Sequence, residues 1–191
     1  MKFIDKTYTK TYEIKQSKFI AYLTPYDDFL LTLNKLKQEH LKARHFVIAY
    51  RYLNEFNQIT EYSTDDGEPK GTSGKPSLMV LQGSNLINSA VIIVRYFGGT
   101  KLGTGGLVRA YSEAVNMLIN IANLSEYKKE IEVKLCFSYS NIRKLEYECE
   151  ILNICIIKKI FESQAVYTIK ADEVSIKNLL KKLDRIIDII E

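Results

Sequence analysis

The stretch from Val94 to Tyr111, VRYFGGTKLGTGGLVRAY, constrains this chain more than any other. Five of the nine glycines fall within it, at Gly98, Gly99, Gly103, Gly105 and Gly106. An uninterrupted apolar run, residues 90–94, leads in, and an apolar-periodic run from Leu107 to Ala122 leads out. That pattern predicts strand, glycine loop and helix, in that order. Glycine suits such a loop where φ must be positive or where another group approaches the backbone closely. On the helix, Leu107, Tyr111, Ala114, Leu118 and Ile121 form the expected buried stripe. Arg109, Ser112, Glu113, Asn116 and Asn120 point away from it.

The rest of the chain supplies partners for this unit. Residues 7–23 alternate and read as one or two strands. Thr24-Pro25 reads as the start of a helix, with Thr24 as N-cap, Asp27 and Asp28 in the first turn, and Phe29, Leu33 and Leu36 inward. Residues 45–53 are rich in aromatic and branched side chains and predict a strand, turned at residues 54–57, with 59–63 pairing back. Residues 64–76 carry three glycines, two prolines, three acids and two lysines, which is loop composition. Pro76 is suited to the first position of a short helix ending near Gly83.

Residues 123–129 are polar and mark a boundary, giving expected domains at 1–124 and 128–191. Beyond the boundary, Ile131, Val133, Leu135, Phe137 and Tyr139 alternate with polar residues, a half-buried strand. A helix follows, capped at Ser140 or Asn141, with Ile142, Leu145, Cys149 and Leu152 inward. Strands at 154–161 and 165–170 and a helix capped by Asp172, with Ile176, Leu179 and Leu183 inward, lead to a last strand at 186–190. The order βαββαβ is the ferredoxin-like plan. The fold class expected for the whole chain is α+β.

Composition narrows the functional classes. The 191 residues are 46% hydrophobic and 26% charged, with a net charge of +4. Residues 1–124 hold 15 Lys/Arg against 11 Asp/Glu, and residues 125–191 hold 12 of each, so the basic excess lies in the first part. It permits a polyanionic partner without demanding one. The cysteines, Cys136, Cys149 and Cys155, are odd in number and lack CxxC spacing. They fit core positions in a reducing cytosol rather than a disulfide framework. No signal peptide and no membrane span is expected. With only His40 and His45 and no CxxC pair, neither a metal centre nor a cofactor is expected.

The glycine loop can be read in two ways. Consecutive glycine N–H groups can form an anion nest, and the helix that follows adds its positive end. Arg95, Lys101 and Arg109 lie close in sequence, so phosphate or sulfate is the expected occupant. The other reading is a turn that needs glycine to pack. Named motifs do not decide between them: Gly-x-Gly-x-x-Gly would need glycine at Val108, and Gly74-Lys75 runs into Pro76 rather than Ser or Thr.

Asp65, Asp66 and Glu68 could bind Mg²⁺ or act as acid and base, but such groups more often order a turn through backbone N–H groups, which is the expectation here. His45, beside Arg44, is expected to be a part-buried, hydrogen-bonded histidine in a supporting role rather than a catalytic base. Thr72-Ser73 beside Lys75 lacks the Ser-x-x-Lys pattern of a hydrolase dyad. No catalytic residue is assigned.

The block Asp66 to Pro76 together with Arg95 to Tyr111 resembles the signature of the IMPACT/YigZ family. His45 with Ala49-Tyr50-Arg51 is similar to the family's early strand. The resemblance implies a first domain like domain IV of elongation factor G and like the second domain of a small-subunit ribosomal protein, and a second domain like elongation factor G domain V. It implies a ribosome or RNA partner. Eukaryotic members regulate translation by competing for a kinase activator, whereas bacterial members have carried a proline-dipeptidase label, for which no metal-ligand set is found here.

The function expected is a cytoplasmic, non-catalytic factor that binds RNA or the ribosome. Gly98, Gly99, Gly103, Gly105, Gly106, Arg95, Lys101 and Arg109 would hold phosphate, with Lys70 and Lys75 assisting. An enzyme acting on a phosphorylated small molecule and a protein-interaction module with a protein partner are the alternatives. The RNA reading needs a basic surface wider than one loop. The enzyme reading needs acids facing a closed pocket.

Overall fold

The computed structural model describes every residue except Arg185 and Glu191. By its contacts the chain divides into two compact units, Met1–Tyr127 and Lys128–Glu191.

In the first unit, strands β1 (Lys2–Phe3), β2 (Tyr8–Ile14) and β3 (Ser17–Pro25) precede a short 3-10 turn (Tyr26–Asp28) and helix α1 (Phe29–Glu39). Strands β4 (His45–Leu53) and β5 (Ile59–Thr64) form a hairpin, followed by α2 (Gly74–Gly83), β6 (Ser89–Tyr96), α3 (Thr104–Ile121) and β7 (Ser125–Glu126). The main sheet is antiparallel in the order β2-β3-β6-β4-β5, and β1 pairs with β7 separately.

β6 lies at the centre. Ala90, Ile92 and Val94 pack on the α1 side with Phe29, Leu33 and Leu36. Val91 and Ile93 pack on the α3 side with Leu107, Tyr111, Ala114 and Leu118. Burial on both faces is why its sequence is continuously apolar rather than alternating.

In the second unit, β8 (Glu130–Phe137), a 3-10 turn (Tyr139–Asn141), α4 (Ile142–Ile151), β9 (Cys155–Phe161), β10 (Ala165–Asp172), α5 (Glu173–Leu183) and β11 (Asp188–Ile190) follow in order. Their antiparallel sheet runs β11-β8-β10-β9. The βαββαβ order therefore folds with its first and third strands central. Its core holds Leu135, Phe137, Leu145, Tyr167, Ile176 and Leu179. Asp172 caps α5, its carboxylate accepting from the Val174 and Ser175 N–H groups at 3.1 Å each.

Several local expectations are corrected. Thr24 is not an N-cap. It lies in β3, opposite Ala90, and its buried hydroxyl accepts from Thr7 at 2.9 Å. The pairing strand provides what a helix start would otherwise need. Pro76 is the third residue of α2, not the first. Neither Ser140 nor Asn141 caps α4 with its side chain, because a 3-10 turn leads in instead. Tyr139 lies past the end of β8. Ile121 is 47% exposed in the last turn of α3, and Cys155 is exposed on β9 rather than in the core.

Candidate functional site

Strand register brings the site together. Arg95, near the end of β6, stands opposite Phe19 on β3 and His45 on β4. Its guanidinium carbon lies 5.4 Å from the Phe19 ring centroid and 5.7 Å from that of Phe97. Phe19 meets Tyr111 of α3 edge-on, with ring centroids 5.0 Å apart. Glu68 enters from the loop between β5 and α2. One of its oxygens accepts from Arg95 Nη1 and from the Tyr111 hydroxyl, the latter at 2.8 Å. A buried ion pair with a phenol as third member thus lies below the glycine loop. Burial and the neighbouring carboxylate hold the Tyr111 phenol far above its ordinary pKa.

The other two acids serve the backbone. Asp65 accepts from the N–H groups of Gly71, Ser73 and Gly74 and from the Ser73 hydroxyl, at 2.7 to 3.1 Å. Burial opposes its ionisation, but these donors outweigh it and hold its carboxyl below the usual aspartate value. Asp66 accepts from the Phe46 N–H at 2.6 Å. Its carbonyl lies 2.8 Å from His45 Nδ1, so that nitrogen carries the proton and donates. Glu68 departs from the expected turn-ordering role, because its partners are side chains. Among the described residues no cluster of three or more His, Cys, Asp or Glu is placed to hold a metal ion.

The glycines divide by physical cause. A Cβ on Gly98 would lie 2.0 Å from the Gln16 carbonyl carbon, so that glycine packs against the β2–β3 turn. Gly99 and Gly103 have φ of +88° and +73°, conformations side chains rarely adopt. A Cβ on Gly106 would press on Leu102 at 3.0 Å. Gly105 has neither reason: it is helical, and a Cβ there would meet nothing within 4 Å.

α3 starts without a cap. Gly103 precedes it with no side chain to offer, and no acid lies in the first turn. The first helical bond runs from the Leu107 N–H to the Gly103 carbonyl at 2.9 Å. The N–H groups of Thr104, Gly105 and Gly106 are left without helical partners. By contrast, Asp65 serves the start of α2 and Asp172 that of α5.

This helix start opens on a cleft of about 410 Å³, whose lining includes Arg44, His45, Glu68, Arg95, Phe97 and Lys101. A second hollow, of about 300 Å³, shares Arg44, His45, Arg95 and Phe97 with it and adds Lys42. Lys42, Arg44 and Lys101 are exposed. The structure therefore gathers Arg95, Lys101, Gly103 and His45 at one place.

Arg109 does not line either hollow. It sits a full turn into α3 rather than in its first turn, and its Nε donates to the Gly105 carbonyl at 3.2 Å. Lys70 and Lys75 are exposed but line neither hollow. Lys42, Arg44 and Phe97 were not singled out from the sequence. The signal for Phe97 was there: on an extended strand, residues 91, 93, 95 and 97 alternate onto one side.

A family model described as the Impact N-terminal domain matches residues 15–119, more than half of the chain. The chain belongs to the IMPACT family. An IMPACT family member from Haemophilus influenzae is 40% identical over 155 residues, covering 79% of this chain and 75% of that protein. The IMPACT family member YigZ of Escherichia coli is 36% identical over 138 residues, covering 70% of this chain and 67% of that one. Among solved structures, the crystal structure of a hypothetical protein aligns at a TM-score of 0.70 and 27% identity, covering 100% of this chain and 97% of that chain. The family match spans the cleft, from the β2–β3 turn behind Gly98 to α3. Among the described residues no helix is long and apolar enough to cross a membrane.

Proposed function

We propose that this IMPACT family chain is a cytoplasmic, non-catalytic factor that binds RNA or the ribosome through the basic cleft and thereby acts on translation. One observation carries the reading. An uncapped helix start faces a cleft lined by Arg44 and Lys101, with Lys42 in the adjoining hollow, and the carboxylate of that cleft, Glu68, is already held by Arg95 and Tyr111. Such a surface attracts phosphate by its free N–H groups and by uncompensated positive charge. The basic lining extends beyond one loop, as a polymer of phosphates requires. The translation setting comes from the family, and the expected likeness of the two units to elongation factor G domains IV and V points the same way.

The enzyme alternative draws on the same cleft, whose size suits a small molecule. It would have to free Glu68 from both of its partners, while Asp65 and Asp66 are committed to backbone N–H groups. That burden favours binding over chemistry.

The test is fluorescence anisotropy with single-stranded RNA across a salt series. Neutralising about three phosphates gives a slope of log K against log salt near −2. Arg44→Ala and Lys101→Ala should each weaken binding and flatten the slope by roughly 0.7, one contact each. Arg109 lines neither hollow, so Arg109→Ala should have the smaller effect. Inorganic phosphate should compete. Binding that ignores both salt and phosphate would end this reading.

A further inference from the structure

We propose that the cleft takes an unpaired nucleotide, with its phosphate at the start of α3 and its base stacked on the outward face of Phe97. This rests on the RNA reading and specifies the form of RNA that fits.

Phe97 is 56% exposed, an unusual position for a phenylalanine beside three cations. One face of its ring is nevertheless covered. The Arg95 guanidinium lies against it, and that group is held from below by Glu68 and flanked by Phe19. An aromatic face backed by a cation and open to solvent is a stacking platform.

Arg95 supplies a second, independent sign of a ligand. The residue is only 6% exposed and lines both hollows. Its Nε is the one buried side-chain nitrogen or oxygen without a hydrogen-bond partner among the described residues. Buried donors are nearly always satisfied, so an unsatisfied one in a cleft wall points to an acceptor that arrives with a ligand. Gly105 agrees: the chain keeps a helix-weakening glycine where no protein atom requires it, one residue past the cleft-lining Gly103 and Thr104.

The geometry selects unpaired over paired RNA. A base within a duplex is stacked on both faces and cannot lie on a side-chain ring, whereas a splayed base can. The cleft of about 410 Å³ has room for one small-molecule-sized unit rather than a helix. Phe97 borders both hollows, so a strand crossing it places one phosphate at Thr104–Gly106 and Lys101 and the next toward Lys42 and Arg44.

The experiment uses the full chain and two fluorescent probes of equal length, a single-stranded oligouridine and a blunt RNA duplex, at one fixed salt concentration. The single strand should bind roughly tenfold or more tightly than the duplex. Phe97→Ala should weaken single-strand binding by about tenfold, the scale of one base–aromatic stack, without altering the salt slope. Phe97→Tyr, which keeps the ring, should restore it. Circular dichroism confirms that each variant is folded. Equal, salt-dependent binding of both probes, or a Phe97→Ala protein that binds as the parent does, would overturn the unpaired-base proposal and leave the RNA reading intact. No binding of either probe would overturn both.

Discussion

Arg95 Nη1 donates to Glu68 Oε1 at 2.5 Å, with the two side chains only 7% and 3% exposed. A buried pair of this kind adds little net stability over apolar residues of similar volume, but breaking it strands a charge. Glu68→Ala should therefore destabilise the first unit by about 3–5 kcal/mol, and Glu68→Met combined with Arg95→Met by much less. Urea unfolding read through amide exchange in β6 measures both. A double variant as damaged as the single would show that the cost does not come from a stranded Arg95 charge.

Tyr111 gives a prediction at high pH. Its folded pKa is raised by burial and by Glu68, so the stability tied to its protonated form is whole below the unfolded value near 10 and is lost as pH rises beyond it. Tyr26 is also raised, to about 12, chiefly by burial, and works in the same direction. Tyr111→Phe should thus flatten, not abolish, the loss of stability above about pH 10. At neutral pH the same variant should cost about 1.5–3 kcal/mol, a hydrogen bond to a charged group. A denaturation series from neutral to alkaline pH reads both numbers.

Asp65 gives the opposite sign in acid. Its folded pKa is depressed, so its contribution is present above the unfolded value of about 3.9 and is lost as pH falls through the lower folded value. Asp65→Asn should destabilise the protein by about 1–2 kcal/mol at neutral pH, in the range of a lost helix cap. It should also reduce the fall in stability below about pH 4. Thermal melts of the parent and the variant on both sides of that pH test the pair of statements.

Two glycines of the Val94–Tyr111 stretch should respond oppositely to alanine. Gly98→Ala drives a methyl group into the backbone of Gln16 and Ser17 and should cost about 1–3 kcal/mol or more. Gly105→Ala enters open space within α3 and should stabilise the protein by about 0.5–1 kcal/mol. The methyl group then sits where the proposed phosphate approaches, so RNA affinity should fall while the melting temperature rises. A Gly105→Ala protein that is stabler and binds RNA unchanged would separate that glycine from the site.

The elements of this chain are mostly local facts. A two-residue alternation gave β8, a 3.6-residue period gave the buried faces of α1 and α5, and the Asp172 cap could be read directly because its acceptor and donors lie within three residues. The errors at Thr24 and Ile121 arose where a local signal met a tertiary partner. Thr-Pro suits a helix start, but β6 was available to pair with Thr24, and the apolar stripe of α3 outlasts the surface it covers.

The sequence by itself determined that glycines and cations would meet at a helix start. Only the tertiary structure decided which cations are free. Glu68 lies 27 residues from Arg95 and Tyr111 lies 43 from Glu68, and no periodicity links them. The fold pairs them because a carboxylate buried without partners would be too costly to keep. That pairing removes Arg95 from the pool of free charge and fixes it beneath Phe97. Strand register then brings Arg44 and His45 across to the same cleft, a juxtaposition that exists only once β4 and β6 are side by side.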